Sequence, residues 1–585
     1  MKSFKNIFLA VITLLVFQTS CSDNWLAPKP HSFFAPENVY IDQKGFESIL
    51  ITLRKNLISE CAGPTHFFSH EWMASEAGNP LLQLDFYKLT PNADQYQRFF
   101  RLINNIYGFI KNANVVISRV DNITWSSDAD RNFILAEAYW HRSYWYYRLV
   151  NTYGDVPFLG EEVTDAKLDY QSHSRWAILN KIQQDMEFAV QWLPVKTEPG
   201  APTKGAANHL LAKIYLANLE FDKAIASATE VINGPYALMK ERFGATANDP
   251  VRNLLWDLHR PQNVNIPANT ETILAIVDRF EAPEGAKTAG LYTFRIYNPS
   301  WWHNNNRDSQ GFRGMIDQGP MYDSLGRGNP DVILTPYYTY DVWKHENQTW
   351  QNTTDLRRAD INWVDKHEFL YNNPTSVDFG KPWKGMNLPN PADSVWLMYA
   401  SPHYKLYVPQ HDPSAMPMGG NGDWYIFRLA ETYLLRAEAY YWKGNLAAAA
   451  DDINEVRSRA KALPIAPAQV TIDFIFDERV RELFAEEPRH SELVRVSCIM
   501  AKQGLNGYSL ATLHEKNWFY DRIMRLNVYY KMTFNVLGNT PQISPHHYLW
   551  PIDDNIITAN TLGIINQNKG YNGSERNIPP LETIE

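Results

Sequence analysis

A run of seven residues in the middle of the chain combines side chains suited to flat, hydroxyl-rich molecules. It reads WWHNNNR from Trp301 to Arg307, so two aromatic rings adjoin several amides and a guanidinium. Stacking of nucleobases on aromatic rings contributes about 1–3 kcal/mol per base, and stacking of sugar C–H faces should be no stronger. Sugar hydroxyls pair with amides and arginine. The run therefore favours a shallow binding site, and the alternative for each tryptophan is packing inside the loop core.

Loop carboxylates raise a catalytic alternative, because a glycoside hydrolase needs two carboxylates at a defined separation. They lie at Asp308, Asp317, Asp323, Asp331 and Asp341. Nothing in the sequence selects a pair, and turn or solvent-facing roles account for each of them.

A metal site is a weaker alternative. His66 and His70 lie four residues apart beside Glu71, a spacing that places two ligands on one face of a helix. Pro64 indicates a loop there, however, and no third-ligand pattern follows. We predict no metal site.

Composition limits the class of protein. The 585 residues carry a net charge of -9, with 45% hydrophobic and 14% aromatic residues, which is typical of a large folded protein. The negative charge is slight and forms no runs, so nucleic acid is not an expected partner.

The N-terminus has the features of an export signal. Lys2 and Lys5 precede a short apolar run from Ile7 to Phe17, too short to span a bilayer, and small residues follow. Cys21 comes directly after them and resembles the lipid-attachment cysteine of a bacterial lipoprotein, although Gln18 stands where leucine is usual. Plain secretion with cleavage nearby is the alternative. The two other cysteines, Cys61 and Cys498, are expected to be buried and inert.

The elements that would position these residues are mainly helical. Asn132 to Pro157 is apolar and aromatic on more than one face, which predicts a central helix buried on several sides and ended by Gly154. Further helices are predicted at 42–58, 94–120, 174–193 and 478–495. Two helical hairpins are predicted at 204–233 and 425–462, with tetratricopeptide-like spacing of small and large residues.

Helical periodicity fades between residues 235 and 423. Proline, glycine, asparagine and aspartate are frequent there, and aromatic residues are dense. Loop regions of this length are usually functional or have structure of their own. We expect an irregular subdomain with short strands, one of them at Ile273 to Val277.

Four segments resemble one known family in the same order along the chain. They are EAYWHRSYWYYRLVNTYGDVPF, AANHLLAKIYLANLEFDKA, RLAETYLLRAEAYYWKGN with VRSRA, and LWPIDDNIITANTLGIINQNKGY. With the lipoprotein-like start, they resemble the SusD/RagB family of outer-membrane nutrient-binding lipoproteins. The charged segment DERVRELFAEEPRHSELVR resembles the family's fold-stabilising charge network, with Pro488 where glycine is common and Glu492 where aspartate is.

The resemblance implies a mainly α, tetratricopeptide-like scaffold with a loop-rich, aromatic-rich ligand-binding subdomain. It implies a lipid-anchored protein outside the outer membrane that binds oligo- or polysaccharide, works with a SusC-like TonB-dependent transporter and is not an enzyme. A peptide-binding lipoprotein of the same fold and a helical glycoside hydrolase are the alternatives. No cofactor is predicted, since calcium occurs in some relatives but no loop here requires it.

The implied ligand face comes from the loop after the first helix and from the middle subdomain. Its candidate residues, chosen by region and chemistry, are Trp72, Asn79, Tyr87, Tyr292, Trp301, Trp302, Asn304 and Arg307. The expected divisions are a signal peptide at 1–20, a tether at 21–32, an N-terminal helical part at 33–234, a ligand-binding part at 235–423 and a C-terminal helical part with its tail at 424–585.

Overall fold

The computed structural model describes residues 39–80, 89–93, 102–283, 286–385, 394–532 and 542–584. The predicted signal peptide, the tether, Cys21 and Tyr87 lie outside these ranges. Within the described residues, none of the helices combines the length and the apolar character needed to span a bilayer.

Helices dominate the described residues, as predicted. In chain order they are α1 (Gln43–Asn56), α2 (Phe67–Met73), α3 (Leu102–Arg119), α4 (Asp128–Thr152), α5 (Arg175–Trp192), α6 (Lys204–Ala217), α7 (Phe221–Ile232), α8 (Leu254–Leu258), α9 (Pro261–Val264), α10 (Thr293–Tyr297), α11 (Pro320–Leu325), α12 (Pro336–Thr339), α13 (Ser394–Leu397), α14 (His403–Leu406), α15 (Leu429–Trp442), α16 (Leu446–Arg459), α17 (Ile472–Leu483), α18 (Arg489–Lys502), α19 (Trp518–Leu526) and α20 (Asp554–Ala559).

Two short antiparallel sheets accompany the helices. Strand β1 (Gly78–Pro80) pairs with β3 (Val332–Leu334), and β2 (Thr272–Ile276) pairs with β4 (Trp424–Arg428). The predicted strand at 273–277 is therefore confirmed as β2. The two hairpins α6–α7 and α15–α16 are also confirmed, except that residues 425–428 are a strand and not the start of a helix.

The central helix α4 is buried on several sides, as predicted. It packs against α3, α5 and α18. Its buried charged side chains find partners: Arg54 pairs with Glu137, and Asp185 pairs with Arg142 at 2.5 Å. Arg148 pairs with Glu60 and Glu71 at 2.8 and 2.6 Å. Because these charges are paired, the helix can be buried without leaving an isolated ion in the core.

The charged segment at 478–495 is not one helix, which corrects the prediction. Helix α17 ends at Leu483 and α18 begins at Arg489. Between them Ala485 adopts a left-handed backbone with φ of 61°, and Pro488 precedes the first residue of α18. Proline lacks the N–H that a continuous helix needs, so the chain breaks there.

The main hydrophobic core draws on residues from Leu57 to Ile565, whereas α1 packs in a second cluster with parts of α3 and α4. Cys61 and Cys498 are both buried, as expected. Burial raises the pKa of each thiol, which keeps both in the unreactive protonated form.

The contribution of the buried ion pairs to stability can be tested at Glu76. Its carboxylate is fully buried and binds Arg489 and Arg522. Burial opposes ionisation, but the two arginines outweigh it and lower the pKa to about 2. We expect Glu76→Gln to lower the free energy of unfolding by about 3–5 kcal/mol at pH 7, because two buried cations lose a partner. Urea denaturation measures this change.

The pH dependence of that difference has a defined sign. A glutamate in the unfolded chain titrates near pH 4.3, so the contribution of Glu76 is fully present above that pH. It is lost as the pH falls towards the folded-state pKa of about 2. The control is Asp121→Asn, which removes the ion-pair partner of Arg131. The Asp121 side chain is 70% exposed, so this substitution should lower the free energy of unfolding by no more than about 1 kcal/mol. Equal losses in the two variants would contradict the assignment.

Candidate ligand-binding face

The two segments that the sequence assigned to a ligand face lie side by side. Asn79 of β1 pairs with Ile333 of β3. Next to this pair, the hydroxyl of Thr335 donates to the carbonyl of Glu76 at 2.9 Å. The loop after the first helix is thereby fixed against the middle of the chain.

Trp72 and Asn79, the candidates from the first segment, have almost no exposed surface. Trp72 is 0% exposed and packs edge to face on Phe484, with ring centroids 4.8 Å apart. Asn79 is 3% exposed within the β1–β3 pair. Both side chains therefore have packing roles in this structure, which is the alternative that the sequence left open.

The adjacent tryptophans Trp301 and Trp302 occupy different environments. Trp301 is fully buried, and its indole N–H donates to the carbonyl of Gly326 at 3.1 Å. Trp302 is half-buried, and its indole N–H donates to the carbonyl of Gly328 at 2.7 Å. Hence the first ring anchors the loop, and the second is held rigidly at its surface.

Two arginines that the sequence did not associate with Trp302 lie in contact with it. The guanidinium of Arg327 lies 4.0 Å from the centroid of the indole ring, a cation–π contact. Arg313 donates to the backbone carbonyl of Trp302 at 3.3 Å and pairs with Asp317 at 3.2 Å. Sequence reasoning missed both arginines, because they lie in glycine-rich loops where no periodicity links them to the tryptophan.

Some of the polar residues after Trp302 are buried and stabilise the loop, and others lie at its surface. Asn304 is exposed, whereas the buried Asn306 donates to the carbonyl of Trp301 at 2.6 Å. Arg307 is half-buried, and its backbone forms a bridge with Arg313 that closes a short hairpin. Trp302, Asn304 and Arg307 thus share one loop, with Asn304 exposed and the other two half-buried.

Tyr292 lies at a separate turn. Its backbone is left-handed, with φ of 55°, and its N–H donates to the carbonyl of Gly419 at 3.3 Å. A side chain at Gly419 would lie 2.4 Å from the backbone nitrogen of Thr293, so only glycine permits this approach. The half-buried tyrosine packs against the main core.

The tip of the hairpin exposes a further aromatic residue. Phe312 is 67% exposed, and the nearby turn exposes Phe379 to 56%. Asp308 ties these turns together by accepting from the hydroxyl of Ser376 at 2.9 Å and from the N–H of Phe312 at 2.9 Å. Burial raises the pKa of Asp308, but these hydrogen bonds favour the carboxylate and lower the pKa below its ordinary value.

A separate cleft of about 530 Å³ lies between α8 and the strand region. Phe280, at its rim, stacks on His411 with ring centroids 4.9 Å apart. Trp256 lines the inner wall, where it contacts Arg260 at 4.0 Å. This cleft also combines aromatic and polar groups, but Trp256 itself is 4% exposed.

Several of the residues raised as catalytic or metal-binding alternatives have local partners. Asp317 pairs with Arg313, and Asp341 pairs with Lys344 at 2.7 Å. His66 caps α2 by accepting from the N–H of Ser69 at 3.2 Å. Within the described residues, no group of three or more His, Cys, Asp or Glu side chains is arranged to hold a metal ion.

The two adjacent tryptophans can be distinguished by stability. Trp301→Ala should lower the free energy of unfolding by about 3–5 kcal/mol, because it empties the core of the loop cluster. Trp302→Ala, the matched change at the surface, should cost about 1–2 kcal/mol from partial burial and one hydrogen bond. Urea denaturation followed by circular dichroism gives both values. A larger loss for Trp302→Ala would overturn the assignment of core and surface rings.

Comparisons with known proteins agree with this architecture. A model of the SusD family matches residues 334–571, and a model described as "Starch-binding associating with outer membrane" matches residues 53–216. SusD-like protein P38 of Formosa agariphila is 24% identical over 551 residues, which cover 89% of this chain and 97% of the relative. The starch-binding protein SusD of Bacteroides thetaiotaomicron is 37% identical over 99 residues, only 16% of this chain and 17% of that protein.

Solved structures share the fold. A laminarin-binding SusD-like protein superposes with a TM-score of 0.56 at 18% identity, over 91% of this chain and 100% of that one. At this identity the likeness establishes the architecture and leaves the ligand open.

Proposed function

Since the chain belongs to the SusD/RagB family, we propose that it binds extracellular oligo- or polysaccharide at the cell surface and delivers it to a SusC-like TonB-dependent transporter. The observation that carries the binding role is the half-buried ring of Trp302, fixed at the loop surface by its hydrogen bond to Gly328 and by Arg327. Asn304 stands exposed on the same loop. An aromatic platform beside an amide is the chemistry that a sugar ring requires.

The site is suited to release as well as to capture. One rigid ring with a few polar neighbours provides a modest binding free energy, because a single stack contributes about 1–3 kcal/mol at most. Rigidity also limits the side-chain entropy lost on binding. A protein that hands its ligand to a transporter needs this combination of specificity and weak retention.

Relatives support a carbohydrate ligand. The relative that matches over 99 residues is named as a starch binder, and one structural neighbour is named as a laminarin binder. We infer from these names the class of ligand and not its linkage. Peptide remains the alternative within the same fold.

The proposed role is binding without catalysis. Among the loop carboxylates of the described residues, Asp317 and Asp341 are engaged with cations on their own loops. Incubation with candidate glycans should leave the concentration of reducing ends unchanged. Their accumulation would favour the glycoside hydrolase alternative.

Isothermal titration calorimetry of the form that begins at Ser22 tests the ligand and the site together. We expect saturable heat with one class of polysaccharide and none with a peptide digest. Trp302→Ala should weaken binding by about 5- to 150-fold, the factor that corresponds to one lost stack of about 1–3 kcal/mol.

The matched control is Trp192→Ala, since Trp192 is also half-buried but lies at the end of α5. The affinity of the Trp192→Ala variant for the polysaccharide should equal that of the unchanged protein. Undiminished binding by Trp302→Ala would move the site, with the cleft at Phe280 as the next position to test. Heat with the digest alone would replace glycan by peptide.

Membrane attachment is proposed to depend on Cys21, which lies outside the described residues. Several acyl chains on one cysteine give stable anchoring. Cys21→Ser should therefore move the protein from the membrane fraction to the soluble fraction and abolish labelling by a fatty-acid analogue. Ser22→Ala is the control and should remain in the membrane fraction. Membrane recovery of Cys21→Ser would exclude this anchor.

A further inference from the structure

The loop region at 300–330 contains as many arginines as aspartates, but they are not equally engaged. Apart from histidine, its charged side chains are Arg307, Asp308, Arg313, Asp317, Asp323 and Arg327. Asp317 pairs with Arg313 at 3.2 Å. Asp308 is buried, and its oxygens accept from backbone N–H groups of its own hairpin and from the hydroxyl of Ser376. These two carboxylates are therefore already bound by donors of the protein itself.

Two of the three arginines have no ionic partner. In the part of the chain that the structure describes, neither Arg307 nor Arg327 forms an ion pair or a side-chain hydrogen bond. Both are half-buried, whereas Asp323, the remaining carboxylate, is exposed on α11 and pairs with neither. The Nε–H of Arg327 is buried without an acceptor. Because a buried donor without a partner is costly, an acceptor from outside the chain would stabilise this arginine.

Arg327 is placed to contact a ligand of Trp302. Its guanidinium lies 4.0 Å from the centroid of the indole ring, and its backbone N–H donates to the carbonyl of Pro417 at 2.7 Å. The indole is held in turn by its hydrogen bond to Gly328. A sugar ring on the accessible part of Trp302 therefore lies beside a cation with unused donors. Hydrogen bonds from a guanidinium to anionic oxygens are about twice as strong as those between neutral groups.

We propose that the glycan bound at Trp302 is acidic, with a carboxylate or a sulfate ester that Arg327 binds while the indole stacks on the sugar ring. This inference rests on the proposed function and narrows its ligand to the anionic class of polysaccharides. The anionic oxygens supply the acceptors that the guanidinium lacks, so the ligand neutralises a charge that the protein leaves unpaired. Arg307 provides a second cation on the same loop, which suits a chain with repeated acidic groups.

Calorimetry with two pairs of polysaccharides tests this inference, because the members of each pair share a backbone and differ in charge. The first pair is polygalacturonate and its methyl-esterified form, and the second is a sulfated galactan and its desulfated form. The protein that begins at Ser22 should bind one acidic member at least about tenfold more tightly than its neutral counterpart, which lacks the charged acceptor. The pair that shows the difference distinguishes a carboxylate from a sulfate ester.

The salt dependence of binding provides a second measurement on the unchanged protein. Raising the salt from about 0.1 M to about 1 M shortens the Debye length from about 10 Å to about 3 Å. The affinity for the acidic polysaccharide should therefore fall, and that for its neutral counterpart should not. Neither measurement depends on the folding of a variant.

Substitution of Arg327 tests its role directly. Arg327→Gln removes the charge and should weaken binding of the acidic polysaccharide by about 10- to 150-fold, with little change for the neutral one. Arg327→Lys keeps the charge but loses the planar fork of donors, so its loss should be intermediate. The matched control is Arg576→Gln, the same change at an arginine that is 66% exposed near the C-terminus, and it should leave both affinities unchanged.

The possible results separate this inference from the proposed function. Saturable binding of a neutral polysaccharide, with the acidic member of its pair bound no more tightly, would overturn the acidic ligand and leave glycan binding intact. Tighter binding of an acidic member that Arg327→Gln does not weaken would also overturn the inference. Binding of a peptide digest alone, or of no polysaccharide at all, would overturn both the inference and the proposed function.

Discussion

Paired charges inside the core are the constraint on which this fold depends. The segment from Glu478 to Arg495 places its ions where helices from all parts of the chain converge. Arg428 of β4 binds Glu271, Glu482 and Glu486, and Arg357 of the loop-rich part binds Glu478 and Glu482. On the other side, Arg495 binds Glu438 of α15 at 2.6 Å. Because a buried ion without a partner is costly, each of these contacts fixes one element relative to the others. The loops that carry the candidate ligand-binding residues pack on this frame.

Much of that frame could be read from the sequence. Helices with regular apolar spacing, such as α1, α5 and the α6–α7 hairpin, were predicted because local periodicity reports the buried face directly. The errors fall where a distant partner decides the conformation. Residues 425–428 form a strand because β2 supplies their hydrogen bonds from about 150 positions earlier in the chain. The break before Arg489 combines Pro488, which is a local helix-breaking signal, with the left-handed backbone of Ala485, which no local pattern predicts.

In the candidate site, local sequence patterns likewise fail to predict the burial of individual residues. The composition of the run at 301–307 identified a loop with binding chemistry, but it could not distinguish Trp301 from Trp302. Gly326 and Gly328 hold the two indoles through carbonyls that follow about 25 residues later. The exposure of each indole is thus determined by a second loop, whose distance along the sequence follows no helical or strand periodicity. Trp72 illustrates the converse, since its ring is covered by Phe484, more than 400 positions away in the chain.

The pairing of distant segments has a consequence for the way this chain reaches its native state. Arg148 and Glu71 are both synthesised early, yet Ser491, which hydrogen-bonds to both in the folded chain, emerges some 340 residues after Arg148. The strand pairs β1–β3 and β2–β4 also join segments far apart in the sequence. Contacts of such long range slow folding and leave apolar surface uncovered for longer. We therefore expect vectorial synthesis to yield no stable N-terminal intermediate, so that the nascent chain depends on chaperones until α18 is complete.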